Sequence, residues 1–172
     1  FITGSRGSGK SHLVNNMLKH MSDSFNLLQS HRTDTPQVVI KSNLVADNKE
    51  FVIGVPRTSG INPASKGNNM TIIEDGFINC AIPAIDTHLD TTPERLFVID
   101  ELGYLESSCI PFQKAVEKLL DNSHVLAVIR KQSTEFLNRI CNRKDVLVID
   151  IDNTFETLSC IIMACYVRWI SG

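Results

Sequence analysis

The chain has 172 residues, of which 42% are hydrophobic and 21% charged; this excludes a disordered chain and predicts one folded, water-soluble domain over residues 1–172. A formal net charge of −2 argues against nucleic acid and anionic membrane as partners, because either would call for a basic surface. The most apolar stretch, Leu158 to Tyr166, is too short to span a bilayer and is soon followed by Arg168, so it reads as part of a buried helix.

Phe1-Ile2-Thr3 reads as the end of a strand in which the sequence begins abruptly, and no signal peptide is visible. Directly after it, Gly4-Ser5-Arg6-Gly7-Ser8-Gly9-Lys10-Ser11 fits the phosphate-binding P-loop pattern: a glycine, four free positions, then Gly-Lys-Ser. Glycines let successive backbone N–H groups point into one concavity. Lys10 then offers a point charge to the β- and γ-phosphates, and Ser11 a hydroxyl to Mg²⁺. Lys10 to Met21 reads as the helix that follows, with Leu13, Val14, Met17, Leu18 and Met21 on one face. Its N-terminus directs a positive dipole end at the same phosphates.

Ser22 to Pro36 is polar and is expected to be irregular. Val38-Val39-Ile40 and Phe51 to Val55 read as strands joined through Asp47-Asn48-Lys49 as a β-hairpin, since the connection is too short for a parallel crossover. Arg57 to Asn69 reads as a long loop. It is either a flap carrying Arg57 or Lys66 toward phosphates or, the preferred reading, a solvated loop without chemistry. Met70 to Glu74 and Phe77 to Ile82 are compatible with strands about an Asp75-Gly76 hairpin turn; the second piece alternatively opens a helix running through Ala84-Ile85.

Arg95 to Asp100 is apolar on both faces and ends in an acid, as a central parallel strand does. Pro111 to Leu120 is a helix, His124 to Ile129 a buried strand, Thr134 to Cys141 a short helix and Val146 to Asp150 the last strand. Asn153 with Glu156 starts a final helix. The predicted fold class is therefore α/β, a mostly parallel sheet flanked by helices, with an antiparallel extension between residues 37 and 82. Ligands of such sheets sit beyond the carboxyl ends of the strands, which gathers the P-loop, Asp100-Glu101 and the turn after Ile129. Cysteines at 80, 109, 141, 160 and 165 form no Cys-x-x-Cys pair and fit a reducing, cytoplasmic setting; the five histidines do not complete a structural zinc site.

An acid at the tip of a buried strand is the Walker B arrangement, in which Asp100 holds Mg²⁺ through a coordinated water. Glu101 follows and would face the γ-phosphate, where a carboxylate orients or deprotonates an attacking water. Lys10 and Glu101 are thus the expected catalytic pair, Ser11 and Asp100 the metal pair, and hydrolysis of a nucleoside triphosphate the expected chemistry. Arg130 ends a strand beside the site, while Arg139 and Arg143 fall four apart on a helix; any of the three could serve as an internal arginine finger, the alternative being a solvated basic face. Asp150 and Asp152 either lie near the nucleotide base or cap the final helix.

Val98-Ile99-Asp100-Glu101-Leu102-Gly103-Tyr104-Leu105-Glu106, followed by Pro111-Phe112-Gln113-Lys114-Ala115-Val116, resembles the thermostable or cancer-related nucleoside-triphosphatase family. Members of that family carry a motif close to Ile-Asp-Glu-Ile-Gly-x-Met-Glu and then a Phe-x-x-Ala-Val helix. The resemblance implies a P-loop fold with an added strand between the P-loop and Walker B strands. It also implies slow, Mg²⁺-dependent and base-promiscuous hydrolysis of NTP to NDP and phosphate. The family's nucleotide-contacting segments map onto Gly4, Ser5, Arg6, Gly7, Ser8, Gly9, Lys10, Ser11 and His12, and onto Asp100, Glu101, Leu102 and Gly103. Three positions depart from the pattern. His12 replaces a second hydroxyl residue, keeping a backbone N–H for the α-phosphate. Arg6 replaces a small residue or proline, and Asp75-Gly76-Phe77 lacks the arginine of a Gly-Arg-Tyr-like element. A nucleotide or small-molecule kinase is the first rival, disfavoured by Glu101 beside Asp100. An AAA-type switch module is the second; no polar sensor residue is evident at Val128-Ile129.

Overall fold

A computed structural model of the chain describes residues 1–21, 24–57 and 70–153. Its centre is an eight-stranded sheet in the order β5-β4-β3-β2-β6-β7-β1-β8. The parallel part consists of β1 (Ile2–Gly4), β2 (Phe25–Arg32), β6 (Leu96–Leu102), β7 (His124–Arg130) and β8 (Ile149–Asp150). An antiparallel extension of β3 (Val38–Ser42), β4 (Phe51–Pro56) and β5 (Met70–Ile72) continues from β2. The hairpin and the extension on one side of the sheet are as expected. So is a strand, β7, between the P-loop strand β1 and the acidic strand β6.

Strand β6 explains the layering. Leu96 and Val98 pack toward α1 (Lys10–Leu18), whose Leu13, Val14, Met17 and Leu18 join one apolar cluster with Met21 just beyond it. Phe97 and Ile99 point to the opposite face, into a larger cluster with Phe77, Phe112 and Phe136. Those rings come from a helical segment after β5, from α4 (Ile110–Asn122) and from α5 (Glu135–Cys141). Pro111 sits in the first turn of α4, where a missing N–H costs nothing, and Thr134 caps α5 by accepting from Leu137 N at 3.1 Å.

Four expectations need correction. Within the stretch read as irregular, Phe25–Arg32 is a strand. Its buried Asn26 breaks the apolar alternation but donates to His88 Nδ1 and to Thr92 Oγ1, both at 2.8 Å. The Asp75-Gly76 hairpin does not form, and the helical alternative holds. A short turn α2 (Glu74–Gly76) runs through a π-helical stretch, Phe77–Ala81, into α3 (Ile82–Thr91). Phe77, Cys80, Ala81, Ala84, Ile85 and His88 are buried at helical spacing, a stronger constraint than a local turn signal. Gly76 has ordinary helical angles; it is needed because a Cβ there would lie 2.3 Å from the Val52 carbonyl oxygen. The last strand is limited to Ile149–Asp150, with Leu147 67% exposed. Arg143 falls beyond the end of α5, so it shares no helix face with Arg139.

Asp47 of the β3–β4 connection takes φ 63°, in keeping with its turn chemistry. Arg57 is exposed; residues 58–69 with Lys66, the helix after Asn153, Cys160 and Cys165 lie outside the described residues. Among the described residues no helix is long and apolar enough to cross a membrane.

Candidate active site

The loop between β1 and α1 turns through Gly7 (φ 81°) and Gly9 (φ 90°), left-handed conformations that favour glycine. Gly9 delivers the chain into the first turn of α1, and Lys10 there is only 8% exposed. Its Nζ folds back over the loop, donating to the carbonyls of Gly4 at 2.9 Å and Ser5 at 2.8 Å. The next residue crosses to the other motif: Ser11 Oγ donates to Asp100 Oδ1 at 3.0 Å. Asp100 is buried, and desolvation raises its pKa, opposed by the bonds from Ser11 and Gln29. A hydroxyl and a buried carboxylate in contact are oxygen donors of the kind that Mg²⁺ takes.

Glu101 reaches the same cleft and forms an ion pair with Arg130 Nε at the end of β7. The slip in register between β6 and β7 falls between Asp100 and Leu102, beside the catalytic candidate. Gly103 leaves room for the arginine, since a Cβ there would lie 3.0 Å from Arg130 Cδ. The cleft of about 690 Å³ is lined by loop residues including Arg6, Lys10, Ser11 and His12, together with Glu101 and Arg130. Such a volume suits a small-molecule ligand. The His12 ring lies beside Asn16 Nδ2 at 3.0 Å. Ser8 Oγ is buried and, among the described residues, has no hydrogen-bond partner. Four candidates are not part of the cleft lining: Ser8 Oγ and Asp100 are buried behind it, Leu102 is buried in the core, and the Gly103 N–H is taken by Glu106.

Several contributors have roles not read from sequence, among them Asp152, for which the sequence leaves open a place near the base or a cap of the final helix. Asp152 braces the loop, accepting from Ser5 N and Ser5 Oγ at 2.7 Å each; those bonds, with Lys131, hold its pKa down at about 2. Lys131 also bridges to Asp150 at 2.7 Å. Glu106 is buried beneath the cleft, where its Oε2 accepts from the Gly103 N–H at 3.0 Å. Burial raises its pKa to about 7, opposed by backbone hydrogen bonds and Arg130 and reinforced by Glu101. Only a resemblance-bearing motif pointed to Glu106, and nothing local signalled the Asp152 brace. Arg139 and Arg143 are engaged elsewhere, with Glu117 and with Asp145 and Asp121 respectively. Of the three arginines weighed as fingers, Arg130 alone lines the cleft.

A sequence profile of the NTPase family (NTPase_1) matches residues 1–156. The chain is 26% identical over 153 residues to the nucleoside-triphosphatase THEP1 of Thermotoga sp. (strain RQ2), covering 88% of this chain and 84% of that protein. It is 23% identical over 152 residues to THEP1 of Thermotoga maritima, with the same two coverages. Among solved structures it is similar to THEP1 from Aquifex aeolicus, with a TM-score of 0.73 and 18% identity over 93% of this chain and 94% of that one. A human cancer-related nucleoside triphosphatase superposes with a TM-score of 0.71 and 20% identity, over 96% and 95% of the two chains. The architecture is thus the P-loop NTPase fold, and with the profile spanning nearly its whole length the chain belongs to the NTPase family.

Proposed function

We propose that this family member hydrolyses nucleoside triphosphates to diphosphate and phosphate with Mg²⁺, discriminating little between bases. The observation that carries the reading is the contact of Ser11 with Asp100, 89 residues apart, behind a cleft lined by Lys10, Ser11 and Glu101. Nucleotide arrival gives the Lys10 ammonium phosphate oxygens in place of the Gly4 and Ser5 carbonyls that it now caps. Backbone N–H groups from Gly9 to His12 bind the remaining oxygens, while the Ser5 N–H stays with Asp152. Ser11 and, through a water, Asp100 would hold Mg²⁺, which when bound neutralises charge on the β- and γ-oxygens.

Glu101 takes the proton of the attacking water as its oxygen bonds to the γ-phosphorus and the bond to the β-bridging oxygen breaks. Arg130, now paired with Glu101, is the cation positioned to balance charge on the γ-phosphoryl group. The described lining of the cleft is rich in cations and backbone amides, groups that read phosphate rather than a base edge, which supports base promiscuity. Free cysteines buried at 80 and 109 support a reducing, cytoplasmic setting.

Phosphate release from ATP, GTP, CTP and UTP, with and without Mg²⁺ and with no added acceptor, tests this. Glu101→Gln should bind nucleotide normally and turn over about 10²–10⁴ times more slowly. Turnover at the wild-type rate would remove Glu101 as base. Hydrolysis confined to one nucleotide would remove base promiscuity.

A further inference from the structure

A second cavity of about 500 Å³ adjoins the nucleotide cleft and shares four residues with it: Arg6, Arg32, Glu101 and Arg130. The P-loop residues that grip the phosphate chain, Lys10 and Ser11, line only the first. The shared wall therefore lies at the γ-phosphate end, and this placement rests on the nucleotide reading above. Beyond that wall the second cavity runs under the antiparallel extension.

Its lining is of two kinds. Apolar surface comes from Val38 of β3, Pro56 of β4, Met70 of β5 and the ring of Tyr104. Cationic surface comes from Arg6, Arg32 and Arg130. Arg130 is matched by Glu101, and the Glu106 carboxyl is satisfied by the Gly103 N–H. Arg6 and Arg32 are left in excess; neither is paired with a carboxylate among the described residues. Guanidinium groups without partners favour phosphate, which they bind through paired N–H donors. The volume suits a small organic molecule rather than a bare ion.

We propose that this cavity is a binding site for a small phosphate monoester with an apolar body, its phosphate on Arg6 and Arg32 and its body against Met70 and Tyr104. Ser30 lines this cavity and not the nucleotide cleft; it stands two residues before Arg32 on β2, on the same face of the strand.

The probe is phenyl phosphate, titrated by calorimetry into the full chain saturated with Mg²⁺ and a non-hydrolysable ATP analogue. Binding with one site per chain at millimolar concentration or below is expected, with inorganic phosphate at least about tenfold weaker and phenol not binding. Ser30→Asp puts a carboxylate beside Arg32 and should weaken phenyl phosphate by about tenfold or more while leaving ATP-analogue affinity unchanged. Arg32→Gln, at an exposed strand end, should weaken it similarly, and thermal melting reports whether either variant is folded. No binding by about 10 mM, equal binding of inorganic phosphate, displacement of the ATP analogue, or indifference to Ser30→Asp in a folded variant would each overturn the proposal. Failure of the ATP analogue to bind would instead strike the nucleotide reading. Phenyl phosphate added to the nucleotide-free chain, compared with Ser30→Asp, keeps the two failures apart.

Discussion

Glu106 offers a sharp test because its burial has a thermodynamic signature. Only 5% of the residue is exposed, and its carboxyl is held up at about 7 against an ordinary 4.5, by desolvation before any other cause. The folded chain therefore holds this proton more tightly than the unfolded chain. Stability from this group is complete below pH 4.5, falls as the pH rises, and levels off above 7. At 1.36 kcal/mol per pH unit, the interval is worth about 3 kcal/mol. Glu106→Gln can keep the bond from the Gly103 N–H and carries no charge at any pH. Groups remote from position 106 contribute alike in both proteins, so the difference between the two isolates Glu106 together with its coupling to Glu101 and Arg130. Urea unfolding followed by circular dichroism at pH 4.5, 6, 7 and 8 should find the variant gaining about 3 kcal/mol on wild type across that range. In melting temperature this is about 6–12 °C. A burial cost for the new amide NH₂, about 1–3 kcal/mol, shifts the whole difference curve without changing its slope. A difference that stays flat to within about 0.5 kcal/mol would refute a neutral, buried Glu106.

Three further outcomes are expected. Lys10→Ala removes the one buried cation of the P-loop and should weaken nucleotide binding by about a hundredfold or more, read by titration with a fluorescent analogue. Gly76→Ala forces a methyl to 2.3 Å from the Val52 carbonyl and should destabilise the fold by about 3 kcal/mol in urea unfolding, with no strain from φ to blame. His88 is buried and neutral; it accepts from Asn26 on Nδ1, so Nε2–H donates to Ser123 Oγ at 2.7 Å, and burial lowers its pKa. Stability from this group is lost as the pH falls through 6.5. His88→Phe should remove that acid limb and cost about 1–3 kcal/mol at neutral pH, through the buried Asn26 N–H left without an acceptor, since Ser123 keeps its bond to the Pro93 carbonyl.

What could be read from the residues was whatever chain neighbours decide. The P-loop, the doubly buried β6 and the helix at Pro111 announce themselves through spacing alone, and the NTPase resemblance rested on a contiguous motif. What stayed hidden is set by partners far along the chain. Asn26 looks like a loop residue until His88, 62 positions on, and Thr92 satisfy it inside a strand. Asp75-Gly76 looks like a turn until the backbone of β4 claims the space beside Gly76. Ser5 is a free P-loop position by pattern, yet Asp152, 147 residues away, grips it twice. Glu101 stood out as an acid following the Asp100 strand tip, but its ion pair with Arg130 required knowing that β6 and β7 are adjacent.

The position of β7 makes it a gauge. It separates β1 from β6 by two interstrand spacings, about 10 Å, and the first turn of α1 spans that interval so that Ser11 meets Asp100. The jaws that would close on the cation are thus set by a strand whose Ala127, Val128 and Ile129 are buried in the sheet. A bulkier side chain at Val128, which packs in one cluster with Leu13 and Val14 of α1, would shift that helix and Ser11 with it while leaving the residues of the loop chemically unaltered. Reaction speed in this scaffold can therefore be retuned from its interior, out of sight of any survey confined to the cleft.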